Sequence, residues 1–194
     1  MIDSALVRDA AGDREARATV TVGMTVALAA IAMTFAALLL AYGIVRAQAP
    51  AWPPAGEAPL PPLWALRLAA TAAALAGSWA MRGAARVSAV RADEPAVSRA
   101  LAVATAAGVA FLGLQIMSWR ALGAAGLHPG SGLAASVVYA LTAFHGLHAL
   151  VAVLLAAGLL VGRQPRPRWV LAVASFWHLV TVVWLVVFVA VFVA

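Results

Sequence analysis

The chain has 194 residues, 13 basic and 7 acidic side chains, a net charge of +6 and no Cys. It is 65% hydrophobic and 10% charged, with a mean hydropathy of +0.98, whereas a soluble domain carries about 25% charged residues. This composition excludes an ordinary soluble enzyme, and the missing Cys excludes disulfides, thiolate metal sites and Cys nucleophiles.

Residues 1–18, "MIDSALVRDAAGDREARA", are polar and mixed in charge. They read as a short cytoplasmic tail, because the apolar run behind them is too long for a signal-peptide core. Five apolar runs follow, at about 19–45, 63–82, 98–119, 134–161 and 169–193, and none contains Asp or Glu. Each is long enough to cross a hydrocarbon layer about 30 Å thick, which takes roughly 20 helical residues. In lipid the backbone must satisfy its own polar groups, so the runs are expected to be helices. The second and third are dense in Ala and Gly. Either Gly108 and Gly113 permit close backbone approach, or the Ala content reflects a GC-rich genome. Between the runs, "RAQAPAWPPAGEAPLPP", "RGAARVSAVRADEPAV", "RALGAAGLHPGSG" and "GRQPRPR" read as loops, since Pro and Gly cluster there. His128 falls in one of them.

All the basic residues are Arg. Arg8, Arg14, Arg17, Arg82, Arg86, Arg91, Arg99, Arg163, Arg166 and Arg168 fall on one side of the five runs. Arg46 and Arg120 sit at helix ends on the other, where they can snorkel to headgroups, and Arg67 lies about one turn inside the second run. This asymmetry places the N-terminus in the cytoplasm and the C-terminus outside. Basic residues confined to short loops read as topology, not as a nucleic-acid face.

The chemistry such spans can support is narrow. They hold no carboxylate, Cys or Lys, and their Ser and Thr form no nucleophile–base arrangement, so no catalytic residue is assigned. His145 and His148 are three apart on one helix face; His145 lies roughly 16 Å from the outer end of its run, and His178 roughly 13 Å from the inner end of the next. Two uses fit: haem or metal ligation between the helices, or hydrogen bonds across a helix interface or to headgroups. Trp177 and Trp184, seven apart, share a face beside His178. Trp64, Trp119 and Trp169 sit near span ends, where indole favours the headgroup level.

The run "ALTAFHGLHALVAVLLAAGLL" resembles the signature of subunit III of the haem-copper oxidases, the cytochrome c and quinol oxidases. Thr142, Phe144, His145, Gly146, Leu147 and His148 match its Thr-Gly-Phe-His-Gly-Leu-His pattern, with Ala143 in place of Gly. "FWHLVTVVW" is similar to the family's last helix through Trp177, His178, Val180, Val182, Val183 and Trp184. "GMTVALAAIAMTFAALLLAYGIVR" is similar to its first bacterial helix, Tyr42 and Arg46 included, and "FLGLQIMSW" to a third segment. The matches run in family order over nearly the whole chain.

This resemblance implies an all-α, polytopic membrane protein of the short bacterial form. Its five transmembrane helices would form groups of two and three around a V-shaped cleft that holds phospholipid. It implies a non-catalytic chain in the inner membrane that binds neither haem nor copper. Those cofactors would sit in partner subunits I and II. The chain would stabilise subunit I, support proton uptake and protect against turnover inactivation. His145, His148 and His178 become structural or lipid-facing residues, Trp177 and Trp184 line the cleft or the seam between helices, and Arg46 and Thr181 join the structural set. Three departures stand out: Ile31, Ser118 and Thr181 occupy positions where the family commonly carries carboxylates. They suggest a divergent member, and an accessory protein of nitric oxide reductase is the nearest rival. A haem b electron-transfer subunit and a transporter are further ones; the latter lacks the expected broken helix.

Overall fold

A computed structural model describes residues 4–90, 94–162 and 166–193, with side chains from residue 18 onward. Five α-helices account for nearly all of it: α1 (Ser4–Gln48), α2 (Trp64–Val90), α3 (Glu94–Ala124), α4 (Leu133–Val161) and α5 (Pro167–Phe188). A π-type turn, Val189–Val193, continues α5. Four helices are long and apolar enough to cross a membrane: α1 from Ala18, α3, α4, and α5 with its terminal turn. The fifth, α2, has 27 residues, about 40 Å at 1.5 Å per residue. It is less apolar because Ala, Gly and Ser replace Leu and Val along it and because it carries Arg67.

The helices overrun the apolar runs at several ends. The expected loop 82–97 is largely helical, since α2 continues to Val90 and α3 resumes at Glu94. "RGAARVSAV" contains no Pro and is rich in the helix formers Ala and Arg, so nothing stops the helix where the hydrocarbon ends. Pro95 and Pro167 stand in the first turns of α3 and α5, where a missing N–H removes no hydrogen bond. The backbone of the segment read as a tail is likewise helical from Ser4. The side chains of Arg8, Arg14 and Arg17, and residues Arg91 and Arg163, lie outside the described residues, so half of the arginines behind the charge asymmetry are known from the sequence alone.

The seam between α2 and α3 is heptad-patterned. Arg67, Ala70, Ala74, Gly77, Met81 and Ala84 are buried on α2, and Val97, Leu101, Ala104, Gly108, Phe111, Gln115, Ser118 and Leu122 on α3. Alternating steps of three and four keep one stripe of each helix toward its partner, as in antiparallel coiled coils. The Ala and Gly residues therefore have a packing role, since hydrophobic exclusion gives no drive between helices in lipid and close contact replaces it. Gly108 lies on the buried stripe of α3, where a Cβ would meet Val153 of α4 and Trp177 of α5. Gly113 does not, for a Cβ placed there would meet nothing within 4 Å.

The grouping of helices differs from the expected two plus three. α2 packs on α3, α3 on α4, α4 on α5 and α5 back on α2, closing a ring of four. α1 lies outside the ring, mainly against α5. Its burial explains why: among its described side chains α1 fully buries only Phe35 and Tyr42, while Val22, Val26, Met33, Leu40 and Ile44 are at least half exposed. Two anchor residues cannot knit α1 and α2 into a pair of their own. The cleft is correspondingly displaced. A groove of about 800 Å³ separates α1 from α2 and α5 at the end of the bundle where α5 begins.

The outer end is closed by the loop between α1 and α2. Both carboxylate oxygens of Glu57 accept hydrogen bonds from the first amides of α4, Leu133 N–H at 2.6 Å and Ala134 N–H at 2.9 Å. An anion suits this place, because the helix N-terminus carries unpaired N–H groups and the positive end of the helix dipole. Gly132 leaves the room: a Cβ there would lie 2.6 Å from the Glu57 carboxyl carbon.

Candidate functional site

The motif that carried the resemblance sits on α4, and its residues face three ways. Thr142 faces α3, donating to Val138 O at 2.6 Å and accepting from Trp119 Nε1 at 3.0 Å. Trp119 is thus more than an interfacial anchor; its carbonyl also accepts from Tyr139 Oη at 3.1 Å. Trp64 and Trp169, by contrast, stay partly exposed at the first residues of α2 and α5.

His145 points into the ring. It is 1% exposed, with Phe111 edge-on at 5.6 Å and Trp184 at 5.4 Å between ring centroids. His148 is half-buried and points toward α1. Its Nδ1 donates to Phe144 O at 2.8 Å, and its ring meets Phe35 edge-on at 5.3 Å. Phe144 completes that contact, 5.0 Å from Phe35. Three residues along a helix amount to about 300° of rotation, so the two histidines diverge by about 60°. That is enough to put one inside the ring and the other beside α1.

His178 faces α2, where Nδ1 shares a 2.6 Å hydrogen bond with Ser78 Oγ. Thr181 donates to Trp177 O at 3.0 Å, which places it in its own helix and not on His178. Trp177 and Trp184 are both buried in the seam of the ring and not in the groove beside α1. Trp184 Nε1 donates to Thr71 Oγ1 at 3.0 Å. The Trp177 indole fills the space left by Gly77 and Gly108; a Cβ on either would lie 2.7 Å from it.

The bis-histidine arrangement suggested by depth is not assembled. His178 is turned to α2 while His145 is enclosed among aromatic rings, and the cavity beside His145 measures about 20 Å³. Sites that take drug-sized or cofactor-sized ligands run to about 300–1,000 Å³. Among the described residues no group of three or more His, Cys, Asp or Glu is gathered as a metal site would require.

One arginine occupies a place the sequence did not foretell. Arg67 does not snorkel outward. It is 6% exposed, with its guanidinium 4.0 Å above the Phe192 ring and Nη2 donating to Pro61 O at 3.4 Å, under the cover of the α1–α2 loop. Arg46 does stay at the outer end. Its Nη1 donates to Tyr42 Oη at 2.8 Å, Tyr42 Oη donates to Ala190 O at 3.1 Å, and the guanidinium covers Trp52 at 5.6 Å. Arg46 thus supports the contact that ties the outer half of α1 to the end of α5. Clusters like these carry no sequence signal, because their members lie far apart in the chain.

The inner groove combines an apolar wall with a basic rim. Met24 and Leu28 of α1 and Leu171 of α5 line it, with Arg166 and Arg168 at the start of α5. An acyl chain suits such a wall, and an anionic headgroup suits guanidinium groups at the membrane surface.

Comparison with known proteins agrees with the motifs. The family model "Cytochrome c oxidase subunit III" matches residues 10–194. A cytochrome c oxidase subunit 3 from Synechocystis sp. is 32% identical over 177 residues, covering 88% of this chain and 73% of that protein. Another, from Thermostichus vulcanus, is 28% identical over 178 residues, covering 86% and 83%. With the motif residues placed in one helical bundle and the match extending along almost its whole length, the chain belongs to the cytochrome c oxidase subunit III family.

Proposed function

We propose that the chain is the non-catalytic third subunit of a bacterial haem-copper terminal oxidase and works in aerobic electron transport in the inner membrane. It would pack against catalytic subunit I in a complex that also contains subunit II, with haem and copper held by those partners. The observation that supports this most directly is the division of the chain into a closed four-helix ring and a loosely held α1. The ring places its polar side chains against its own helices, as a supporting subunit would. Its N-terminus faces the cytoplasm and its C-terminus the outside, as the arginine asymmetry favours. The groove between α1 and the ring holds phospholipid, the headgroup meeting Arg166 and Arg168.

Purification of the tagged chain from its native membrane, with haem and copper analysis of what accompanies it, tests the assignment. A co-purifying complex with oxygen-reducing activity and both metals is the expected result. Recovery with a nitric oxide reductase would transfer the chain to that enzyme. A haem stoichiometric with the isolated chain, and lost in His178→Ala, would sink the reading altogether.

A further inference from the structure

At the centre of the ring, His145 is enclosed but incompletely served. Its Nδ1 is fully buried and has no hydrogen-bond partner among the described residues. The rings of Phe111, Trp184 and Phe35 surround it and offer no acceptor. The indole N–H of Trp184 is already committed to Thr71. A polar nitrogen left unpaired in a helix bundle within lipid is costly, because no solvent replaces the missing bond.

His145 lines a cavity of about 20 Å³ that it shares with Thr181 of α5. One water molecule needs at least about 10–15 Å³ and two or more polar partners. The volume meets the first condition without room for a cluster. The second falls to two residues of the lining: His145, whose Nδ1 lacks a partner, and Thr181, whose proton is given to Trp177 O while its oxygen remains able to accept. We propose that this cavity is a binding site for a single water molecule, bridging His145 Nδ1 on α4 to Thr181 Oγ1 on α5.

The hydrogen count closes for either imidazole tautomer. The water donates one hydrogen to Thr181 Oγ1. It then donates the other to a bare Nδ1, or accepts from Nδ1–H. Trp184 lines both this cavity and a smaller one beside Arg67, Gln115 and Ser118. A water so placed joins α4 to α5.

Water-edited solid-state NMR on the full chain in bilayers, with ¹⁵N-labelled histidine, tests this. His145→Phe identifies the resonance, exposed His128 serves as the positive control, and His148, bonded to a carbonyl, as the comparison. Magnetisation from water is expected to reach His145 Nδ1 in the wild type and in Thr181→Ser, and to fall several-fold in Thr181→Val. A wild-type imidazole that receives none marks a dry cavity and overturns the proposal. Transfer unchanged in a correctly folded Thr181→Val overturns the bridge to Thr181. Should Thr181→Val fail to fold, the wild-type transfer and its retention in Thr181→Ser still decide the matter.

Discussion

A methyl group at position 108 would run into Val153 Cγ2 and come within 2.7 Å of the Trp177 indole. Neither neighbour is a free side-chain end, since Val153 and Trp177 are both buried. Overpacking of this kind costs about 1–3 kcal/mol. Gly108→Ala is therefore expected to lower the unfolding free energy by that amount in a detergent titration, while Gly113→Ala, with open space around it, leaves the midpoint unchanged or slightly higher from helix propensity. Equal effects at the two positions would show that the small-residue seam is not what sets the packing. The same scale shows where sequence reading stops. Gly108 and Gly113 are indistinguishable as letters in an Ala-rich run. Only the heptad stripe separates them, because 108 continues the series through 101, 104 and 111 and 113 does not. For His145 and His148 the difference is about 60° around α4, and no local pattern says which side of that angle faces the ring.

Among the elements, α1 is the exception. Its contacts with the rest of the chain concentrate at Phe35, wedged beside Phe144 and His148, and at Tyr42, bonded to the end of α5. Loss of Phe35 removes packing but exposes little to water, so its cost falls below the ~3–5 kcal/mol of a Phe→Ala change in a soluble core. Phe35→Ala is expected to raise hydrogen–deuterium exchange along α1 in bilayers and leave α2–α5 protected. Uniformly faster exchange in all five helices would mean that α1 belongs to the same cooperative unit as the ring. Four of the five helices were legible from apolar length alone, since about 20 residues are needed to cross hydrocarbon. Their ends were not, because α2 and α3 persist through segments that lipid no longer dictates. Nor was the grouping, which depends on burial stripes and on two aromatic anchors distant in the chain.

At the scale of the whole molecule, the ring and α1 enclose a groove that opens beside Arg166 and Arg168 at the start of α5. Two guanidinium groups near a membrane surface attract anionic headgroups by about 1 kcal/mol each. Native mass spectrometry of the protein released from anionic lipid is expected to show retained lipid that decreases several-fold in Arg166→Ala/Arg168→Ala. A similar loss after Arg120→Ala, at the opposite end of α3, would instead indicate general charge attraction. The absence of carboxylates at Ile31, Ser118 and Thr181 fits a molecule whose interior polar groups are neutral, with Arg67 the exception and shielded by Phe192 and the outer loop.

The order of synthesis gives the loose seating of α1 a further meaning. Tyr42 reaches its acceptor on Ala190, 148 residues later in the chain, and Phe35 waits for Phe144 and His148. A helix made before the other four is thus the last to find its place. During translation it must remain in the bilayer as a solitary hydrophobic segment, stable by insertion alone, while the four later helices assemble. The low demand that α1 makes on its neighbours is then a condition of biogenesis. A helix that stuck early to a half-made ring would trap the chain before α5 arrived.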